Sequence, residues 1–145
     1  MFKNLKNRKE GFTIIEVLIV LAIAGLIMLI VFLAVPTLRR NARNGQRDHD
    51  ASSVLAGVNE CLKNHNGVTT SCDTTAEVAI DTNSLSVLTT YSFGAAAYSA
   101  TDARVVIGSH CNPAGDATVA GTAREVAVTY QQETGTGTTN RCLAG

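Results

Sequence analysis

The feature that most constrains this chain is an uninterrupted apolar run close to its beginning. Residues 17–35 contain no charged and no strongly polar side chain. As a helix rising about 1.5 Å per residue, the run nearly spans a bilayer core of about 30 Å, and residues 12–15 extend it past that length. A helix that is apolar on every side belongs in a membrane or inside a helix bundle.

The remainder of the chain is short and much more polar, with many Thr, Ala, Ser and Gly residues. Beyond about residue 39 it is only about a hundred residues long, a size that gives a thin core and often requires covalent stapling. The 12 basic and 12 acidic residues balance overall. Because four basic residues lie before residue 11, the remainder is slightly acidic, and net charge gives no indication of nucleic-acid binding.

All four cysteines, Cys61, Cys72, Cys111 and Cys142, lie beyond the apolar run. An even number of cysteines in a small polar domain behind a membrane segment indicates two disulfides in an oxidising compartment. Three pairings exist, and we favour Cys61–Cys72 with Cys111–Cys142 because each joins sequence neighbours. The alternative is four free thiols in a reducing compartment. Basic residues flank both ends of the run, so the cysteines decide that the C-terminal part lies outside.

The apolar run predicts a helix with two weak points. Gly25 costs about 1 kcal/mol relative to alanine, and Pro36 removes a backbone hydrogen bond. Residues 37–65 then become amphipathic, with Gly45 as a candidate break and residues 64–67 (NHNG) as a stop signal. Helical spacing places six apolar residues on one face: Ala51, Val54, Leu55, Val58, Cys61 and Leu62. The pattern predicts a long helix whose second half packs on a small domain.

Strand signals follow the helix. Residues 85–88 are a candidate short strand, residues 104–107 are β-branched, residues 126–130 alternate as a half-buried strand does, and residues 140–143 are a candidate terminal strand. Residues 112–116 are typical of a loop. The predicted fold class is α+β, in which the second half of the helix packs on a small antiparallel sheet of three or four strands.

The border between the basic leader and the apolar run is unusual. A secretory signal has a shorter apolar stretch with a small-residue cleavage site after it, whereas here the small residue, Gly11, precedes the run. A peptidase that cut after Gly11 would remove the leader and leave the apolar helix on the mature chain. Glu16 lies just inside the run, where a carboxylate is costly and usually functional.

The segment KEGFTIIE at residues 9–16, followed by VLIVLAI and Gly25, resembles the type IV pilin family, which includes the pseudopilins. The resemblance implies a pilin-like fold, cleavage after Gly11 by a prepilin peptidase and N-methylation of Phe12. It also implies that Glu16 pairs with the new Phe12 amine and sets register during assembly. A carboxylate among apolar helices needs such a cation or it protonates; the alternative is a Glu16 that sits in water at the membrane interface.

The chain departs from the family at the helix proline. Many members carry this proline three residues earlier, where this chain has Leu33. In those filaments the helix loosens between the glycine that matches Gly25 and the proline. Here such loosening either extends to Pro36 or does not form.

These observations divide the chain into a leader (residues 1–11), a membrane and filament-core helix (12–36), an amphipathic second half of that helix (37–65) and a disulfide-stapled β domain (66–145). We expect a structural subunit of a type IV pilus, held in the cytoplasmic membrane as a prepilin and found in a cell-surface filament after assembly. Its expected partners are copies of itself, the prepilin peptidase, the pilus assembly machinery and membrane lipid. Two alternatives are a pseudopilin of a type II secretion or DNA-uptake machine, and a single-span surface protein that never polymerises.

No arrangement of residues indicates catalysis, so we expect neither an enzyme nor a cofactor. Cys61 and His65 are four residues apart on the helix, and His110 adjoins Cys111, which is a weak zinc signal because disulfides already account for the cysteines. Asp116 and Glu133 are too sparse for a calcium loop, so no metal site is assigned. The basic cluster Arg39, Arg40, Arg43 and Arg47 is expected to be solvated or paired with Asp48 and Asp50.

Overall fold

A computed structural model describes residues 11–78, 80–95 and 98–145 of the chain. These residues form one long helix, two short 3-10 turns (Thr69–Ser71 and Thr82–Ser84) and six strands. The helix α1 is Ile14–Asn64, and the strands are β1 Thr90–Phe93, β2 Asp102–Ile107, β3 Ser109–Cys111, β4 Thr118–Ala120, β5 Val126–Glu133 and β6 Thr138–Ala144. The layout is α+β, with a long helix that begins apolar and a mainly antiparallel sheet, as predicted.

The chain divides into two compact units between Thr37 and Leu38. Within the first, the N-terminal unit, helical backbone continues through Gly25 and Pro36. The most apolar window of α1 has a mean hydropathy of 3.3, and none of that window is buried. By length and composition α1 is therefore able to cross a membrane. Its apolar side chains find no cover within the described part of the chain.

The second, the C-terminal unit, begins with the amphipathic part of α1, which shows no break at Gly45. The six residues predicted to share a face are all buried, which confirms that prediction. The helix ends at the predicted stop signal, where Asn66 and Gly67 take φ values of 54° and 81°. The Gly67 amide donates to the Leu62 carbonyl at 2.7 Å, a closure that satisfies one of the last helical carbonyls.

The main sheet has the strand order β1-β2-β5-β6. The pairs β2–β5 and β5–β6 are antiparallel, as predicted, but β1 runs parallel to β2 with Thr90 opposite Asp102. Among the described strands the sheet is therefore mainly antiparallel, and its parallel pair lies at the β1 edge, outside the strands predicted from the sequence. Strands β3 and β4 form a separate antiparallel pair around the predicted loop at residues 112–116.

The centre of β5 is more deeply buried than its alternating sequence predicts. All five residues from Val126 to Tyr130 are buried, not every second one. The face opposite α1 is covered because the Arg104 Nε donates to the Thr129 hydroxyl at 3.2 Å. The Arg104 guanidinium also lies 5.0 Å from the centre of the Tyr98 ring, close enough for a cation–π contact.

The predicted strand at residues 85–88 is wrong, because a buried carboxylate takes the hydrogen bonds that a strand partner would take. Asp50 on α1 is fully buried. Its oxygens accept from the amides of Ser86 at 3.0 Å, Val87 at 2.7 Å and Leu88 at 2.9 Å. Three backbone donors are thereby satisfied by one side chain, which fixes this loop on the helix.

We predict that Asp50→Asn destabilises the C-terminal unit by roughly 3 kcal/mol, because an NH2 group then faces backbone donors that lose a buried acceptor. Chemical denaturation of the full chain in detergent, followed by circular dichroism, measures this change. Asp73→Asn, at an exposed aspartate, is the matched control and should leave the midpoint unchanged. Equal midpoints for the two variants would show that the Asp50 contacts contribute little.

Candidate functional site at the start of the helix

Thr13 and Glu16 form a reciprocal cap at the start of α1. The Glu16 Oε2 accepts from the Thr13 amide at 2.8 Å and from the Thr13 hydroxyl at 2.7 Å. The Glu16 amide donates in return to the Thr13 hydroxyl at 3.4 Å. This is a capping box, and it holds a negative charge at the helix end where the backbone dipoles favour one.

The predicted cleavage point lies just outside this cap. Gly11 and Phe12 precede the helix and both are exposed, with Phe12 90% accessible. Their peptide bond therefore carries no helical hydrogen bonding that a peptidase would have to break. Cleavage there would create a cationic amine on Phe12, one residue before the cap. The preceding residues of the leader lie outside the described part of the chain.

The Glu16 carboxylate keeps one oxygen available for such a cation. Both hydrogen bonds that the carboxylate accepts from Thr13 use Oε2. Among the described residues, Oε1 has no hydrogen-bond partner. The predicted Phe12–Glu16 pairing needs the cut chain and stays a prediction. Thr13 was not selected from the sequence, although the spacing Thr13-x-x-Glu16 before an apolar run is a known signal for a capping box.

Neither residue predicted to loosen the helix interrupts it. Both Gly25 and Pro36 have helical backbone. Apart from the adjoining helix backbone, no described atom lies within 4 Å of the position that a Gly25 Cβ would occupy. Contacts among the described residues therefore give no reason for a glycine there.

Two disulfides staple the C-terminal unit, and they are the two pairs favoured from the sequence. Cys61–Cys72 joins the last turns of α1 to the turn Thr69–Ser71. Cys111–Cys142 joins β3 to β6. Of the two histidines near cysteines, His65 has its Nδ1 at 3.7 Å from both Cys61 and Cys72 sulfurs. The other, His110, faces the Glu125 Oε2 at 3.6 Å.

Within the basic cluster on α1, Arg39 is exposed as expected, but Arg43 and Arg47 pair with neither Asp48 nor Asp50. Arg43 forms an ion pair with Glu133 at the end of β5, and the Arg47 Nη2 lies 2.8 Å from the Glu133 Oε1. Arg47 is buried, at 3% exposure, so the expectation of a solvated face is wrong there. Asp48 instead accepts from the Tyr130 hydroxyl at 2.6 Å. These partners could not be predicted from local sequence patterns, because they lie more than 80 residues apart and meet only when β5 packs against α1.

The two arginines set the acidity of Glu133. Hydrogen bonds first from Arg43 and then from Arg47 lower the pKa of Glu133 to about 2. Burial, and then the hydrogen bond to Asp48, raises the pKa of Tyr130. Glu133, weighed above as a calcium ligand, thus serves to join helix and sheet.

The described structure thus contains a long apolar helix, an exposed Gly-Phe border before it, a capped glutamate and a small disulfide-bonded α+β unit. Residues 6–32 match the family model of the prokaryotic N-terminal methylation motif, which is the leader of type IV pilins and pseudopilins. The matched segment contains Gly11, Phe12, Glu16 and Gly25. The motif implies processing by a prepilin peptidase from a membrane-anchored precursor. No curated protein and no solved structure matches the chain.

We predict that the stability of the C-terminal unit depends on pH through the ionisation of Glu133. Its folded pKa of about 2 lies below the ordinary value of about 4.3, so its stabilisation is full above the ordinary pKa and is lost as pH falls toward 2. Glu133→Gln should cost roughly 2 kcal/mol at pH 7. The gap between wild type and variant should close between about pH 5 and pH 2. Denaturation midpoints across pH measure it, and Glu60→Gln, at an exposed glutamate on α1, is the control.

We also predict unequal contributions from the two disulfides. They close loops with sequence separations of 11 and 31 residues, which corresponds to about 3 and about 4 kcal/mol of chain-entropy stabilisation. Replacing Cys111 and Cys142 by serine should therefore cost more than the same change at Cys61 and Cys72. Denaturation of both double variants compares them. The reverse order would show that local contacts outweigh loop entropy.

Proposed function

We propose that this protein is a structural subunit of a type IV pilus filament. It is made as a prepilin in the cytoplasmic membrane, cleaved after Gly11, methylated at Phe12 and polymerised through the apolar part of α1. Its partners are the prepilin peptidase, membrane lipid before assembly, the pilus assembly machinery and other copies of itself. The role needs no catalysis and no cofactor.

The observation that carries the proposal is the uncovered apolar surface of α1 behind a methylation motif. Large side chains such as Ile14 (81% exposed), Phe32 (75%) and Leu33 (72%) have no cover within the described chain. Covering apolar surface is worth about 25 cal/mol per Å², so lipid covers these side chains before assembly. After extraction from lipid, equivalent helices of other copies cover the same surface.

Glu16 gives this packing a register. In a filament core the carboxylate is surrounded by apolar side chains and needs a cation. The Phe12 amine of the same or a neighbouring copy supplies one after cleavage. The polar C-terminal unit then forms the filament exterior, and its two disulfides suit an extracellular position.

A pseudopilin of a type II secretion or DNA-uptake machine would carry the same leader. The two disulfides favour the pilus subunit, because they suit an exposed structural protein. Abundant surface filaments built from this chain distinguish the two roles. A surface protein that never polymerises would form no filaments, and the assembly machinery would not remove it from the membrane.

Mass spectrometry of the mature N-terminus tests the processing step. We expect a chain that begins at Phe12 and carries one N-methyl group. A Gly11→Leu variant, which alters the small residue at the cut, should keep its leader. A wild-type chain that retains Met1, or that has lost more than residues 1–11, contradicts pilin processing.

Glu16→Gln tests assembly separately from processing. We expect normal leader removal but at least a tenfold loss of sheared surface filaments, since the neutral amide cannot pair with the Phe12 cation. Glu10→Gln changes a carboxylate in the leader, which is removed, and should assemble normally. Wild-type filament levels with full cleavage of the Glu16 variant would contradict the proposed register.

A further inference from the structure

Three groups able to bind a metal meet at the end of α1. The sulfurs of Cys61 and Cys72 and a ring nitrogen of His65 lie within 4.8 Å of one another. The His65 Nδ1 is 3.7 Å from each sulfur. Helical geometry produces the first pair, because Cys61 and His65 are four residues apart on one face. The turn after the helix brings Cys72 to the same place.

The distances from nitrogen to sulfur already fit a zinc site. With Zn–S near 2.3 Å, Zn–N near 2.1 Å and tetrahedral angles, the sulfur and nitrogen ligands lie about 3.6 Å apart. Breaking the disulfide frees both sulfurs to separate to the distance of about 3.8 Å that two thiolates take around one tetrahedral ion. In the oxidised chain the His65 Nδ1 therefore already lies at about ligand spacing from both sulfurs.

We propose that the reduced chain binds one Zn²⁺ through the Cys61 and Cys72 thiolates and the His65 Nδ1. Reduction by a phosphine breaks the S–S bond and adds two electrons and two protons, which gives two thiols and a phosphine oxide with oxygen from water. Binding of Zn²⁺ then releases the two thiol protons to solvent. Water takes the fourth position, on the exposed side where His65 lies.

The surroundings favour a cation at this place. Cys61 lies in the last turn of α1 and His65 directly follows the helix, where the aligned backbone dipoles make the helix end negative. Two thiolates alone would be disfavoured there, whereas a bound divalent ion neutralises their two negative charges. The His65 Nδ1 also lies 3.0 Å from the Cys61 carbonyl oxygen. Metal binding replaces this contact and leaves the proton on Nε2.

Metal and disulfide exclude each other, because the same two sulfurs serve both. A chain carrying Zn²⁺ is protected from oxidation at Cys61 and Cys72, and oxidation must expel the ion. The site thus distinguishes a reduced, metal-bound form from an oxidised, stapled form. This inference concerns the thiol state alone and does not rest on filament assembly or on cleavage after Gly11.

The second disulfide provides an internal control. Cys111 and Cys142 also become thiols on reduction, but the neighbouring His110 faces Glu125 at 3.6 Å. Among the described residues, no third ligand group gathers at this pair. Any two thiols bind zinc weakly, so a specific site must depend on His65.

The experiment uses the full chain in detergent, reduced anaerobically with a phosphine and titrated with Co²⁺, a coloured substitute for Zn²⁺. We expect one Co²⁺ per chain, with sulfur-to-cobalt charge-transfer absorption and the visible bands of a tetrahedral site, and displacement by Zn²⁺. The Cys111→Ser/Cys142→Ser variant should keep the site, and Cys61→Ser/Cys72→Ser should lose it. His65→Ala should weaken binding at least about tenfold, while His49→Ala, at an exposed histidine within α1, should not.

Other outcomes overturn the proposal. Equal binding by the unreduced chain would show that the thiols are not ligands. Unchanged affinity and bands in the His65→Ala variant would show a site made by thiols alone. Absence of the bands in the reduced wild type excludes the site whether or not the C-terminal unit stays folded. A final arm adds an oxidised thiol reagent to the Zn²⁺ form, and Zn²⁺ should be released as the Cys61–Cys72 bond returns.

Discussion

The structure depends on one constraint, which is that the first part of α1 has an apolar surface left uncovered by the residues that the structure describes. Every large apolar side chain of α1 from Ile14 to Leu33 is exposed. A chain of this kind cannot be a stable monomer in water, because the exposed area would drive association. Lipid or apolar helices of other chains would supply that cover, and both belong to the function proposed above.

The C-terminal unit solves the opposite problem, since its small core needs additional means to hold one arrangement. Apolar residues of α1 supply part of that core, but they do not determine how the helix lies on the sheet. Polar and charged contacts determine that arrangement. Asp50 accepts hydrogen bonds from the amides of residues 86–88, and Glu133 forms ion pairs with Arg43 and Arg47. A shift of the helix would leave those groups without partners, which costs far more than repacking aliphatic side chains.

The features that could be predicted from the sequence are those that depend on interactions between residues close together in the chain. Helical spacing revealed the buried face of α1, and Asn66-Gly67 marked its end, because both signals lie within a few residues. The partners of Asp50 and Glu133 lie 36 to 90 residues away, and no local pattern reports them. The parallel edge strand β1 was hidden for the same reason. The Thr13–Glu16 cap was a local signal and could have been found.

The Thr13–Glu16 cap also affects how the new Phe12 amine could approach Glu16 after cleavage behind Gly11. Thr13 engages Oε2 of Glu16 with its amide and its hydroxyl, and cleavage one residue upstream removes neither donor. The new Phe12 amine therefore does not have to compete with Thr13 and can approach Oε1. In the proposed filament one oxygen would hold the carboxylate to its own helix, as seen here for Oε2, while the other would accept a cation from the same or another copy. In the proposed filament, Thr13 would thus orient Glu16 before assembly, and the cut would supply the charge that makes burial of that carboxylate affordable.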